Sequence, residues 1–196
     1  MSKHEKLFNR MRLPKDYWEC KIGELPDNGS DRNKYKKPYK EVISNYVLRN
    51  LDEEDVCKGF HLYGDYGSGK SGIGGILIQS AVYQGKTALW VDFPLLQEYS
   101  INKEKHIYEG EVTLFDRMHE VDVLFVDEIL CDNSSRWPLK VMESLVRVRY
   151  QNCKTTHMAS NSTPNKLGST GVSKGLSNIC RGAMISLQVE GKKFRK

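Results

Sequence analysis

Gly59-Phe60-His61-Leu62-Tyr63-Gly64-Asp65-Tyr66-Gly67-Ser68-Gly69-Lys70-Ser71-Gly72 is the stretch on which the rest of this sequence turns. Residues 59–63 read as a short buried strand, and the apolar run from Ser71 to about Gln84 reads as a helix that Gly85 stops. Between them, Gly64 to Ser71 fits G-x-x-x-x-G-K-[ST], in the strand-then-helix setting that this phosphate-binding pattern requires. The chemistry follows from the residue types. Gly64, Gly67 and Gly69 let the backbone curl so that its N–H groups point at a polyphosphate. The following helix adds its positive amino end. Lys70 sets an ammonium between the β- and γ-phosphates, and the Ser71 hydroxyl takes a place on Mg²⁺. With Asp65, Tyr66, Ser68 and Gly72, residues 64–72 are the expected nucleotide contacts, and ATP/ADP with Mg²⁺ the expected cofactors.

Downstream, strand and helix patterns alternate. Thr87–Asp92, Val121–Val126, Thr155–Ser160 and Ala183–Val189 read as strands, the third strand of the chain being almost entirely apolar as one covered on both faces should be. Pro94–Tyr99, Val112–Glu120 and Trp137–Tyr150 carry helical spacing, whereas 162–178, rich in Ser, Thr, Gly and Asn, reads as a mobile loop. This alternation predicts an α/β chain with a mainly parallel sheet and helices on both faces. The third strand ends in Asp127-Glu128, adjacent carboxylates that are costly at such a place unless they are used. In a parallel sheet that end lies beside the phosphate loop. Asp127 is positioned to hold Mg²⁺ through water, and Glu128 to orient and deprotonate an attacking water. The fourth strand ends in Ser160-Asn161, whose amide is the third element of the set, a ligand for the γ-phosphate or the lytic water. The three together point to hydrolysis of a nucleoside triphosphate; a phosphotransferase would lack the second acid.

Upstream, 196 residues allow one domain with a short appendage. Residues 1–40 carry 11 basic and 6 acidic side chains and residues 165–196 carry 7 and 1, around a centre with 12 basic and 18 acidic. Basic ends on an acidic middle suggest anion-facing termini, although solvated tails would give the same count. No run of about 18 apolar residues exists, so no membrane span or membrane partner is expected, and the charged amino terminus does not read as a secretory signal. Cys20, Cys57, Cys131, Cys153 and Cys180 stand apart; an odd number without a C-x-x-C pair argues against a disulfide framework or zinc, and for thiols in a reducing cytoplasm.

The motifs at Gly64–Ser71, Val121–Glu128 and Thr155–Asn161, with Arg181…Gly191…Arg195 near the end, resemble the AAA+ helicase loaders of the DnaC/DnaI type and the related IstB transposition ATPases, phage versions included. The resemblance implies a P-loop NTPase of the AAA+/ASCE type, a three-layer sandwich with sheet order 5-1-4-3-2 and little or no carboxy-terminal lid domain. It implies an ATPase domain over 39–196 behind a basic lead-in, 1–38, that is a candidate partner-binding segment. It further implies a homo-oligomer, ring or spiral, assembled with ATP. Such an assembly delivers a hexameric replicative helicase to single-stranded DNA in the cytoplasm of a bacterium or phage-infected host. An IstB-like transposition helper and an ATP-binding adaptor without turnover are the alternatives. Carried over by position, Asn161 matches the family's sensor residue. Arg181 matches the arginine finger that reaches a neighbour's ATP, and Arg195 the basic residue of a terminal hairpin. Arg149 matches a group arginine whose partner is a neighbour or a phosphate, or else a salt bridge at its helix end. Lys103, Lys105, His106 and Tyr108 fall where the family faces DNA, a composition that an exposed polar loop would share.

Overall fold

The computed structural model describes residues 3–25, 33, 35–48, 57–101, 112–129, 136–169 and 174–190. Five strands, β1 (Gly59–Tyr63), β2 (Ala88–Asp92), β3 (Val123–Ile129), β4 (Thr155–Ser160) and β5 (Met184–Gln188), form one sheet in the order β2-β3-β4-β1-β5. Every pairing is parallel. Read from the other edge this is 5-1-4-3-2, as expected. Among the described residues, eight helices connect or precede the strands: α1 (Lys3–Arg10), α2 (Tyr39–Val47), α3 (Lys70–Tyr83), α4 (Phe93–Ile101), α5 (Leu114–Glu120), α6 (Arg136–Gln151), α7 (Pro164–Ser169) and α8 (Lys174–Ala183).

Strand periodicity divides the core in two. Phe60, Leu62, Trp90 and Phe125 face α3 with Ile73, Leu77 and Ile78. Their neighbours Leu89, Val91, Leu124, Val126 and Met158 face the opposite way, with Met142 and Leu145 of α6. Each face is covered, which is why these strands read as continuous apolar runs.

The lead-in is part of this core. Phe8, Met11, Leu13 and Leu25 are buried with the α3 cluster. The Trp90 N–H donates to the Met11 carbonyl at 2.8 Å, so the lead-in hydrogen-bonds to strand β2. Two 3₁₀ turns follow: Ile22–Glu24, which packs on α2, and Lys15–Tyr17, which packs on α3, where Gln79 Nε2 donates to the Tyr17 carbonyl at 2.7 Å. Gly75 permits the approach: a Cβ there would come within 2.7 Å of Tyr17 Cβ.

Three expectations need correction. The stretch 162–178, read as a mobile loop, contains α7 and the start of α8. Leu176, Cys180 and Ala183 recur at i, i+4 and i+7 and are buried with Leu167, a stripe hidden among small polar residues. The third strand starts at Val123, two residues later than expected, and runs one residue past the Asp127-Glu128 pair, to Ile129. The expectation of thiols alone fails at Cys57 and Cys153, which form a disulfide with Cα atoms 5.0 Å apart. They are 96 residues apart in sequence, but they precede β1 and β4, which pair, so tertiary structure brings them together. Cys131 lies outside the described residues. Among the described residues, only Val189 and Glu190 follow β5, and no helix is long and apolar enough to cross a membrane.

Candidate nucleotide-binding site

The loop between β1 and α3 turns through Gly64 (φ 151), Gly67 (φ 77) and Gly69 (φ 99), backbone that a side chain would strain. Gly69 is the N-cap of α3, and its carbonyl accepts the first helical bond, from Ile73 N. The Lys70 ammonium donates to the Gly64 carbonyl at 2.8 Å, the Asp65 carbonyl at 2.7 Å and Ser68 Oγ at 3.4 Å. It is thus folded across the cradle. Burial lowers its pKa, against the pull of Asp127, Asp65 and Glu128.

Asp127, at the end of β3, is 5% exposed. Burial pushes its carboxyl up to about 6, opposed by the polar Ser71 side chain and by the Glu128 N–H, which donates to it at 2.9 Å. The repulsion of Glu128 and of Asp92, its partner in register on β2, adds to the rise. Glu128 itself has φ 55 and an exposed side chain. The β3–β4 register shifts between Val126 and Ile129, and this irregularity sets Glu128 apart from the regular strand.

These groups meet in a cavity of about 480 Å³. Lys70, Ser71, Asp127, Glu128 and Asn161 line it. The opposite wall comes from the lead-in: Asp16, Tyr17, Cys20, Lys21, Glu24 and Leu25. Sequence reasoning missed this wall. Its signal was the apolar series Phe8, Met11, Leu13 and the pair Tyr17-Trp18, which a solvated tail would have no use for.

No group of three or more acidic, His or Cys side chains able to hold a metal occurs among the described residues. The donors at hand are the Ser71 hydroxyl and the Asp127 carboxylate, which line the same cavity. Two protein oxygens, with phosphate and water filling the rest, match the habit of Mg²⁺ rather than of an all-protein cage.

Arg181 is on α8, exposed, away from the cavity lining, with its guanidinium on Asn165 Oδ1. Arg149 corrects an expectation: its guanidinium is enclosed by the protein, tied to backbone carbonyls and attracted by Asp122, with no salt bridge at its helix end among the described residues. It is fully buried and donates to Thr156 Oγ1 and to the carbonyls of Met118, Val121 and Thr155 at 2.7–2.9 Å. It ties the carboxyl end of α5 to β4. Arg195, Lys103, Lys105, His106 and Tyr108 lie outside the described residues.

No protein-family model matches this sequence, and no curated protein matches it. Solved structures do. A candidate primosome component from Streptococcus pyogenes serotype M3 superposes with a TM-score of 0.74 at 22% identity, covering 99% of this chain and 100% of that one. The DnaC helicase loader gives a TM-score of 0.71 at 15% identity, covering 90% of this chain and all of that one. The chain shares the fold of these proteins. The replication initiator DnaA bound to AMPPCP and single-stranded DNA shares it over 93% of this chain and 53% of its own, with a TM-score of 0.69 at 19% identity. What is shared is the parallel five-stranded α/β fold, and in this chain the cavity lies at the carboxyl ends of β1, β3 and β4.

Proposed function

We propose that this protein is a Mg²⁺-dependent ATPase that loads a replicative DNA helicase onto single-stranded DNA. The reading rests above all on one observation: the Lys70 ammonium, the Ser71 hydroxyl, the buried Asp127 carboxylate and Glu128 line a single cavity at the glycine loop. Ser71 and Asp127 would hold Mg²⁺, which when bound neutralises charge on the phosphates. Residues 64–72 grip the phosphates, with Lys70 moving from the loop carbonyls to the β- and γ-oxygens. Glu128, turned out of β3, takes a proton from the attacking water, and Asn161 orients that water or the γ-phosphate. The lead-in closes the pocket over the nucleoside, so partner contacts made through residues 1–38 would act directly on nucleotide affinity. Arg181 serves the nucleotide of a neighbouring subunit, which makes turnover a property of the oligomer and nucleotide state a switch for holding helicase and DNA. A cytoplasmic setting follows from that role.

The test is ATP turnover with and without single-stranded DNA, for the native chain and Glu128→Gln, with recovery of a hexameric helicase in ATP as the second arm. Turnover that needs Mg²⁺ and Glu128, together with helicase recovery, is expected. A folded sample with no affinity for any nucleoside triphosphate would overturn the reading. Binding without hydrolysis would leave an adaptor.

A further inference from the structure

We infer that His61 is a positioning residue that acts through the Ser160 hydroxyl to hold the turn presenting Asn161 to the cavity. The inference rests on the role proposed above for Asn161.

His61 lies inside β1 and is fully buried. Its neighbours Phe60 and Leu62 belong to the α3 core, so strand alternation sends its ring to the other face, 5.7 Å from the ring of Tyr63. There, Nε2 is 2.8 Å from Ser160 Oγ on β4. That same oxygen donates to the Ser162 carbonyl at 2.8 Å and accepts from the Ser162 N–H at 3.3 Å.

Counting hydrogens settles the direction of each bond. A hydroxyl has one proton and two lone pairs. The Ser162 carbonyl can only accept, so it takes the Ser160 proton. The Ser162 N–H fills one lone pair. His61 Nε2 must therefore donate into the other, which makes the ring the neutral Nε2–H tautomer. Burial favours that neutral form, lowering the pKa of the ring to about 3.

The consequence is a hydroxyl saturated on all three sides, joining β1, the end of β4 and the backbone beyond Asn161. Ser160 and Ser162 are both buried, whereas Asn161 between them is exposed and lines the cavity with Lys70 and Asp127. The strand that carries His61 also runs directly into the phosphate loop at Gly64. One side chain thus ties the Asn161 turn to the strand that carries the loop.

The arrangement has a cost that a packing role would not incur. His61 Nδ1 is buried and has no hydrogen-bond partner among the described residues. An apolar side chain would leave no such orphan. Retaining an imidazole here makes sense where the Nε2–H is needed.

The experiment compares His61→Leu, His61→Gln, His61→Asn and Asn161→Ala, plus the His61→Leu/Asn161→Ala double variant, in the full chain. Gln can carry an amide N–H to the Nε2 position; Asn ends near Nδ1 and cannot reach Ser160. Two readouts are taken: hydrogen exchange of the Ser162 amide without nucleotide, and kcat and KM for ATP. His61→Leu should remain at least as resistant to denaturant as the native chain. It should nevertheless speed Ser162 exchange and lower kcat by about tenfold each, the worth of one hydrogen bond, with KM nearly unchanged. His61→Gln should recover most of both, His61→Asn neither, and His61→Leu should add nothing to Asn161→Ala. Native exchange and kcat in His61→Leu would overturn the inference, as would an equal kcat loss in the Asn161→Ala background. If His61→Leu fails to fold, the Gln and Asn variants decide the matter by the same readouts. Should the native chain hydrolyse nothing, the ATPase reading fails, while Ser162 exchange still decides whether His61 holds the turn.

Discussion

Asp127→Asn should stabilise the nucleotide-free protein while destroying its Mg²⁺-dependent turnover. The carboxyl is 5% exposed and titrates near 6 in place of the ordinary 3.8. A folded-state pKa raised in this way favours the folded state fully only below about 4. The advantage is lost as pH rises from about 4 to about 6, because the folded protein then carries a buried charge that the unfolded chain hydrates. At 1.36 kcal/mol for each tenfold change in proton affinity, the difference is worth about 3 kcal/mol above pH 6. Asparagine keeps the shape, and its oxygen can still accept from the Glu128 N–H. The attraction between Asp127 and the Lys70 ammonium is lost, which trims the gain. A net of about 2 kcal/mol would raise the Tm of a chain this long by about 4–8 °C. Denaturant titrations at pH 4.5 and pH 8 provide the assay. The variant's advantage must be clear at pH 8 and nearly absent at pH 4.5. An Asp127→Asn protein less stable than the native one at pH 8, or an advantage independent of pH, would refute the reasoning that burial controls this carboxyl.

Three further outcomes are expected. Arg149→Leu should lower stability by about 3–5 kcal/mol in denaturant, since it strips the donors from several buried carbonyls; a loss under 1 kcal/mol would show that the ladder is dispensable. Reducing Cys57–Cys153 should cost about 2–4 kcal/mol, because the bridge closes a span of 96 residues. Nucleotide affinity should survive, as the bridge lies at the amino ends of β1 and β4, opposite the phosphate loop; thiol titration finding five reactive cysteines in the unfolded, unreduced chain would remove the bridge. Arg181→Ala should bind ATP as the native chain does when dilute, yet lose the turnover that rises with protein concentration. Native turnover at high concentration would take Arg181 out of the reaction.

Much of the site was legible in the sequence because its parts are local. The phosphate loop is contiguous, its conformation depends on glycines at fixed offsets, and the strand and helix beside it announce themselves by period. Asp127 and Glu128 stood out because charge at the end of an apolar strand is anomalous wherever the strand lies. The α7–α8 region was misread for the opposite reason: its apolar stripe of Leu176, Cys180 and Ala183 is thin, and only burial against α6 and β5 makes helix the better choice.

By itself, then, the amino-acid order determined a parallel α/β chain with a polyphosphate loop, two acids and an amide at successive strand ends. Those features follow from backbone freedom, side-chain period and local solvation. What it could not determine was decided by packing between distant segments. The lead-in became the far wall of the cavity because Phe8, Met11 and Leu13 found α3 and β2. Arg149 became a buried strut because α5 left its last carbonyls within reach, and Cys57 met Cys153 because β1 lies beside β4. Each depends on which surfaces approach once the sheet has closed, and no local pattern of residues encodes that distance.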